Sequence, residues 1–214
     1  VERGLADALG CGIDIMEEKG AFIANFGGGT TELSVLSSGG IVLNRLVKIG
    51  GDSFDDAIVS LVRHNLEFLI GRMTAERLRK EFGVFDQKTD TAITVSGRDL
   101  ITGVPGQTEI PISLVRAAMK DPIEECVHAI RTMIERTPPD VRRAIEAKGI
   151  YLTGGLSNMK GLSTYLQESI GLSVISSPQA ELCAVRGLQK IISDKAYYRR
   201  LLYSMLDDNY RWLR

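Results

Sequence analysis

Three consecutive glycines followed by two threonines, Gly27-Gly28-Gly29-Thr30-Thr31, separate two short apolar runs and constrain this chain more than any other feature. The run before them, Ala21 to Phe26, and the run after, from about Glu32 to Leu36, have the length and composition of strands. Glycines strip every Cβ from the connection, so its backbone N–H groups can converge on an anion. The hydroxyls of Thr30 and Thr31 add two further donors. That donor set suits the terminal phosphates of a nucleotide. No Lys-Ser/Thr pair follows and the glycines do not open a helix, which excludes a Walker loop and a dinucleotide fingerprint. A glycine-rich hairpin without a ligand accounts for the same residues equally well.

Around this turn the chain alternates strands and helices, which makes the class α/β. Gly39-Gly40 reads as a tight turn into a third strand, Ile41 to Val47. Gly50-Gly51-Asp52 opens a helical region whose stripe is Phe54, Ile58, Leu61 and Val62, extended by Leu66, Leu69 and Ile70. Thr74 is an N-cap for a helix from Ala75 to Phe82, and Phe85 to Asp90 reads as a loop. Strands are expected over Thr91–Val95 and Gln107–Ile112. A long helix from Ser113 to Glu135, kinked by Pro122, gives way at Pro138-Pro139 to another that runs to Ala147. Gly149 caps it, and Ile150–Leu152 is a short apolar strand. A helix over Met159–Ser169, a strand over Leu172–Ile175 and a helix over Ala180–Ile192 complete the pattern. The first ten residues are helix-like with no strand before them, and read as the continuation of an upstream region.

Two further pieces bear on chemistry. Leu152-Thr153-Gly154-Gly155-Leu156-Ser157 joins a strand to a helix, where glycines admit a ligand to the backbone and the helix dipole favours anions. Glu76 and Arg79 stand three apart on one helix face. A carboxylate there accepts from ribose hydroxyls and a guanidinium stacks on a base; a solvated ion pair is the plainer reading. Lys plus Arg total 26 against 27 for Asp plus Glu, a net charge of −1 that argues against nucleic acid as a partner. Cys11, Cys126 and Cys183 are sparse and lack metal-ligand spacing, which points to a reducing cytoplasm and to no metal held by protein thiols. His64 and His128 have no ligand-spaced neighbours, and Ser34, Ser37 and Ser38 have no His/Asp companions for nucleophilic catalysis.

The order of these pieces resembles the actin and heat-shock chaperone ATPase superfamily, and within it most closely the bacterial actin MreB family. The resembling segments are Gly27 to Glu32, Gly50-Gly51-Asp52 with Phe54-Asp55, Ile70-Gly71 with Thr74 to Arg77, Gly97 to Leu100, Thr137 to Pro139, and Leu152 to Gly155 with Gly161-Leu162. They run from about Glu2 to Ile192. The resemblance implies the C-terminal half of a protomer: an actin-like ATPase domain II, a ribonuclease H-like mixed sheet with flanking helices, carrying an inserted smaller α+β lobe. The larger lobe would be residues 1–49 and 148–193, the smaller 50–147, and the C-terminal extension 194–214.

By the same resemblance Gly27, Gly28, Gly29, Thr30 and Thr31 form the second phosphate loop, Gly154 and Gly155 the adenosine-contacting turn, and Glu76 and Arg79 the helix against ribose and base, where the family usually has Lys at the latter position. Glu2 matches a glutamate that helps position the hydrolytic water. ATP or ADP with Mg²⁺ is the implied cofactor. Three departures stand out. Asn25 occupies the place of an aspartate that serves the magnesium and water network; an amide is neutral and serves it less well. Arg3 replaces a proline, and Leu156 replaces a third glycine. The first phosphate loop of the family has no counterpart in these residues, so weak nucleotide binding and little or no hydrolysis are expected of the chain alone.

The implied role is a nucleotide-dependent filament subunit that organises bacterial cell shape, joined head to tail to copies of itself. Its other partner is the missing N-terminal half. A non-hydrolysing scaffold and a sugar or acetate kinase of the same superfamily are the alternatives. Beyond Ile192, Tyr197, Leu201 and Met205 share a helical face with Tyr198, Leu202 and Leu206, and residues 194–214 carry a small basic excess ending in Trp212-Leu213. An amphipathic helix there either packs on its own domain, the favoured reading, or lies on a membrane or a cell-shape partner. Localisation is accordingly cytoplasmic, with membrane association as the second reading.

Overall fold

A computed structural model describes residues 1–82 and 91–202. The expected loop at Phe85–Asp90 and the tail from Tyr203 onward lie outside the described residues. The strands form a five-stranded sheet of order β3-β2-β1-β7-β8 and a three-stranded sheet of order β4-β5-β6. In the first, β1 (Ala21–Phe26), β2 (Thr31–Ser37) and β3 (Gly40–Val47) make an antiparallel meander, and β7 (Ile150–Thr153) and β8 (Val174–Ser176) run parallel to β1. The second contains β4 (Phe68–Leu69), β5 (Ala92–Asp99) and β6 (Pro105–Pro111). The helices are α1 (Arg3–Gly10), α2 (Gly51–Leu66), α3 (Arg72–Phe82), α4 (Ile112–Arg136), α5 (Pro139–Lys148), α6 (Leu162–Ile170) and α7 (Cys183–Ser193).

Strand β1 sits at the centre, and its two faces serve two cores. Phe22, Ala24 and Phe26 enter the larger one, which runs through Leu33 and Leu152, along α4 at Cys126 and Ile130 and α2 at Phe54 and Ile58, to Val95 and Ile110 of the small sheet. Ala21 and Ile23 face the other way, into a smaller cluster with Leu5, Leu9, Leu36, Ile191 and Leu201. The two-residue period of the strand produces this split. The larger core is continuous between the sheets, so the small sheet shares the apolar interior of the large one.

Several boundaries differ from the sequence expectation, each for a local reason. The α2 stripe stops at Leu66, because Glu67 adopts the left-handed region (φ 49°) and its carbonyl accepts the Leu100 N–H. Leu69 therefore belongs to a strand paired with β5, not to the helix. The turn after β2 is centred on Ser38 and Gly39, both with positive φ, and Gly40 already begins β3. Helix α3 starts at Arg72, ahead of Thr74, whose N–H donates to the Gly71 carbonyl. Strands β5 and β6 extend through Gly97 and Gly106 to leave a short hairpin loop, where Asp99 Oδ1 accepts the Ile101 and Thr102 amides. Gly154-Gly155 leads into a single 3-10 turn, Gly155–Asn158, and α6 begins only at Leu162 after a left-handed Gly161. The last strand is Val174–Ser176, and a 3-10 turn over Ala180–Leu182 precedes α7. Residues 194–198 are turns and Arg199–Leu201 a single 3-10 turn, so the described part of the tail does not continue as an amphipathic α-helix. Leu201 is buried and Tyr198 packs beside it.

Helices α1 and α7 cross on the smaller core, and two glycines set their separation. A Cβ on Gly187 would stand 1.8 Å from the Ala6 carbonyl oxygen, and one on Gly10 1.9 Å from that of Cys183. Each helix thus lends a glycine to the other's backbone. Gly187→Ala must push α7 off α1. We expect it to cost about 1–3 kcal/mol, the usual range for overpacking a close contact, read as a lower midpoint in urea unfolding. An unchanged midpoint would show that the crossing gives way freely.

Candidate functional site

The glycine turn between β1 and β2 rests on the N-terminus of α2. The Gly51 N–H donates to the Gly27 carbonyl at 3.1 Å, and the Asp52 N–H to the Gly28 carbonyl at 2.8 Å. A helix N-terminus has unpaired amides and a positive dipole end, and here carbonyls of the turn satisfy two of those amides. Every peptide bond described is trans, so the carbonyl and the following N–H of one peptide point in opposite directions. With the carbonyls of Gly27 and Gly28 fixed toward α2, the amides of Gly28 and Gly29 are turned away from it. Among the described residues no acceptor meets the Gly28, Gly29 or Thr30 amide. Gly28 and Gly29 are exposed, and a Cβ built on Gly28 would meet nothing within 4 Å. The turn is therefore an open nest of amides, held from behind.

Gly50 makes this approach possible: its Cβ would lie 2.4 Å from the Gly28 oxygen. Ser53 locks the helix start, since its hydroxyl accepts the Gly50 N–H and its own N–H donates to the Gly50 carbonyl. Thr31 is the first residue of β2, and strand parity sends its side chain into the larger core. Its hydroxyl is fully buried and donates to the Ile49 carbonyl at 2.8 Å. Thr31 thus ties β2 to the Gly50 turn and is not a donor at the mouth of the nest, contrary to the sequence expectation. Thr30 is only partly buried.

The opposite parity brings Asn25 onto the face covered by α1. In the ladders it stands between Glu32 of β2 and Thr153 of β7. Gly4 lets α1 settle there, because a Cβ at that position would be 2.3 Å from Ser34 Oγ. Asp7 of α1 then meets Asn25, whose Nδ2 donates to Asp7 Oδ2 at 2.6 Å. Asp7 is 1% exposed, and burial pushes its carboxyl above the ordinary range, against the opposing pull of the Asn25 amide and the Arg3 charge. The Thr153 hydroxyl faces the same carboxylate outside hydrogen-bond geometry, so Asp7 Oδ1 and Thr153 Oγ1 are both buried and unpaired. On its other side, the Asn25 oxygen lies 2.7 Å from where a Cβ on Gly154 would stand and 3.7 Å from that of Gly27. Gly154, at φ 84°, thus abuts Asn25, and its N–H donates to the Ala180 carbonyl.

The remaining sequence candidates distribute unevenly. Asn25, Gly27 and Gly154 converge within a few ångströms, and Gly155 is exposed at the start of its 3-10 turn. Glu2 is exposed just before α1, and its carbonyl accepts the Ala6 N–H. Arg79 is a correction: the residue is 7% exposed and its guanidinium is clamped by both oxygens of Asp55, at 2.7 and 3.2 Å, so it is not free to stack on a base. It buttresses the α2 N-terminus, 3.3 Å from where a Gly51 Cβ would stand. Glu76 does not pair with it; a hydrogen bond from Lys80 holds Glu76 below the usual carboxylate range. Sequence reasoning missed Asp7 and Asp55. The signal was a lone acid inside the apolar run Gly4–Gly10 for Asp7, and for Asp55 an acid three residues before Ile58 on the edge of the α2 stripe. A cleft of about 500 Å³ between α2 and the β5–β6 hairpin, lined by Ser60, Arg63, His64, Glu67, Leu100 and Ile101, shares no residue with these turns.

The family model described as "MreB/Mbl protein" matches residues 1–200. The chain belongs to the MreB/Mbl family. It is 36% identical over 188 residues to the cell shape-determining protein MreB of Escherichia coli K12, covering 87% of this chain and 54% of that protein. Among solved structures it matches MreB5 of Spiroplasma citri bound to ADP, with TM-score 0.86 and 28% identity over 94% of this chain and 61% of the other. The MamK double helical filament shares the fold, with TM-score 0.73 at 17% identity over 90% of this chain and 59% of that one. The actin-like mixed sheet with flanking helices expected from the sequence is thereby shown. The chain spans about half the length of the MreB it matches.

The buried Asp7 carboxyl makes stability depend on pH in a set direction. Its folded value lies above its unfolded one, so the native state loses stability as pH rises through that interval. Asp7→Asn keeps the shape and removes the charge. Thermal unfolding should show it more stable than the parent near pH 7.5, with the gain vanishing below the usual carboxylate range. A variant less stable at pH 7.5 would contradict the burial argument.

Proposed function

We propose that this chain is the nucleotide-holding C-terminal half of an MreB-like filament subunit. The observation that carries this reading is the pair of outward amides on Gly28 and Gly29, fixed by the α2 N-terminus. They suit the terminal phosphate oxygens of ATP or ADP, with the Thr30 amide beside them. Gly154, against Asn25, and the exposed Gly155 beside it suit the adenosine side. The ADP-bound and AMPPNP-bound states named for the Spiroplasma MreB5 support a nucleoside di- or triphosphate as the ligand.

Mg²⁺ would accompany the phosphates. Of the candidate oxygens, the Asn25 amide is neutral, and the exposed Asp52 carboxylate lies 3.8 Å from where a Gly29 Cβ would stand. That donor set fits a hydrated cation better than a directly ligated one. Bound there, the cation would supply charge neutralisation of the phosphates. Asn25 offers an acceptor to water but no negative charge, and Glu2 stands exposed at the head of α1. Binding with slow or absent hydrolysis follows. Self-association head to tail, and a role in bacterial cell shape, rest on the family and on the filament formed by MamK. A phosphoryl-transferring sugar or acetate kinase is not favoured by the family match.

The clean test exploits the empty space at Gly28. Gly28→Ala and Gly28→Asp both fit sterically, but the second places a carboxylate where phosphate is to sit. In calorimetric titration with Mg-ADP, Gly28→Ala should bind within about twofold of the parent, whereas Gly28→Asp should bind at least about tenfold more weakly, a difference of about 1.4 kcal/mol. Both should unfold at the parent's temperature. Equal affinity in the two variants would remove the phosphate from this nest.

A further inference from the structure

Asn25 has two different ends, and which end faces the turns decides what the site offers. Its Nδ2 is taken by Asp7, at 2.6 Å, and its oxygen is the atom that abuts Gly27 and Gly154. An amide alone has no reason to choose this orientation, because both ends hydrogen-bond. The Asp7 oxygen it meets does choose, because Asp7 Oδ2 accepts from the Asn25 Nδ2 and so turns the nitrogen inward. Asp7 is the acceptor on the inner side. It is held there by α1, through the close seat of Gly4 on Ser34, and it keeps a second oxygen buried and unpaired. A buried carboxyl with one idle oxygen lowers stability. The cost is concentrated beside the phosphate and adenosine turns.

We infer that Asp7 is a positioning residue: it holds the Asn25 amide in one orientation so that an uncharged oxygen acceptor faces the space between Gly27 and Gly154. The negative charge of the site is thereby withdrawn by one side chain, from the strand to the helix behind it. The strand position presents a neutral acceptor that orients a water or the hydration shell of a cation without repelling phosphate. This inference rests on the nucleotide reading given above and deepens it. Its consequence is a protein that holds a nucleoside phosphate with a reduced demand for divalent cation.

The experiment is a mutant cycle on the 214-residue chain with Asp7→Asn and Asn25→Ala, read by thermal unfolding, by Mg-ADP titration, and by NMR of the Asn25 side-chain amide. Asn at position 7 both donates and accepts, so it no longer dictates which way Asn25 turns. We expect Asp7→Asn to be more stable than the parent yet to bind Mg-ADP about five- to tenfold more weakly, about 1 kcal/mol or slightly more. The double variant should bind no more weakly than Asn25→Ala alone, since the two residues act as a unit. A purely structural Asp7 predicts affinity unchanged, or losses that add, and either result overturns the proposal. In the parent without nucleotide, one Asn25 Nδ2 proton should be shifted downfield by the carboxylate, and Asp7→Asn should abolish the shift. Absence of that shift overturns the positioning claim even if no variant folds. A parent that shows the shift but binds no Mg-ADP would refute the nucleotide reading while leaving the orientation of Asn25 established.

Discussion

Two hydrogen bonds, from the first amides of α2 to the carbonyls of Gly27 and Gly28, organise the rest of this site. They settle which way the peptides of the turn face. A glycine triplet in isolation samples many conformations and presents its donors to none in particular. Seated on the helix, it presents two consecutive N–H groups outward as a fixed pair. The helix loses little by this, because its first amides have no intrahelical acceptor. The same contact places the positive end of the α2 dipole behind the nest, where it favours a bound anion.

The surrounding structure keeps that contact rigid. Gly50 allows the two backbones to meet, Thr31 anchors the start of β2 to the Ile49 carbonyl, and the buried Asp55–Arg79 pair braces α2 from below. Loss of either partner of that pair would leave an uncompensated buried charge, which is far costlier than the pair itself. Arg79 thus belongs to the architecture that supports the nucleotide turn. The larger core beneath is continuous from β1 through α4 to the small sheet.

Much of this was legible in the residues. The meander, the glycine turn and the short strand at Ile150–Leu152 follow from apolar runs separated by glycine, and their order led to the family; that this strand runs parallel to β1 is shown by the structure. What sequence patterns missed was what depends on three-dimensional parity and approach. Thr30 and Thr31 look alike in the chain, but the first residue of β2 points into the core and its hydroxyl is consumed there. Arg79 has the spacing of a surface partner for Glu76, but Asp55, 24 residues earlier, captures it. Leu69 fits a helical stripe, but the left-handed Glu67 ends that helix and a strand begins. Asp7 is a lone acid inside an apolar helical run, and only the docking of α1 over Asn25 gives it a role.

Everything here depends on the backbone donors beside α2 being the phosphate seat. The most direct measurement is an NMR titration of the ¹⁵N-labelled chain with Mg-ADP, followed at the Gly28, Gly29 and Thr30 amides. The account predicts that these resonances move downfield together, saturate with one affinity, and exceed in size the changes at the α2–hairpin cleft around Arg63 and Leu100. Shifts confined to that cleft, with the three amides unmoved at saturation, would contradict it.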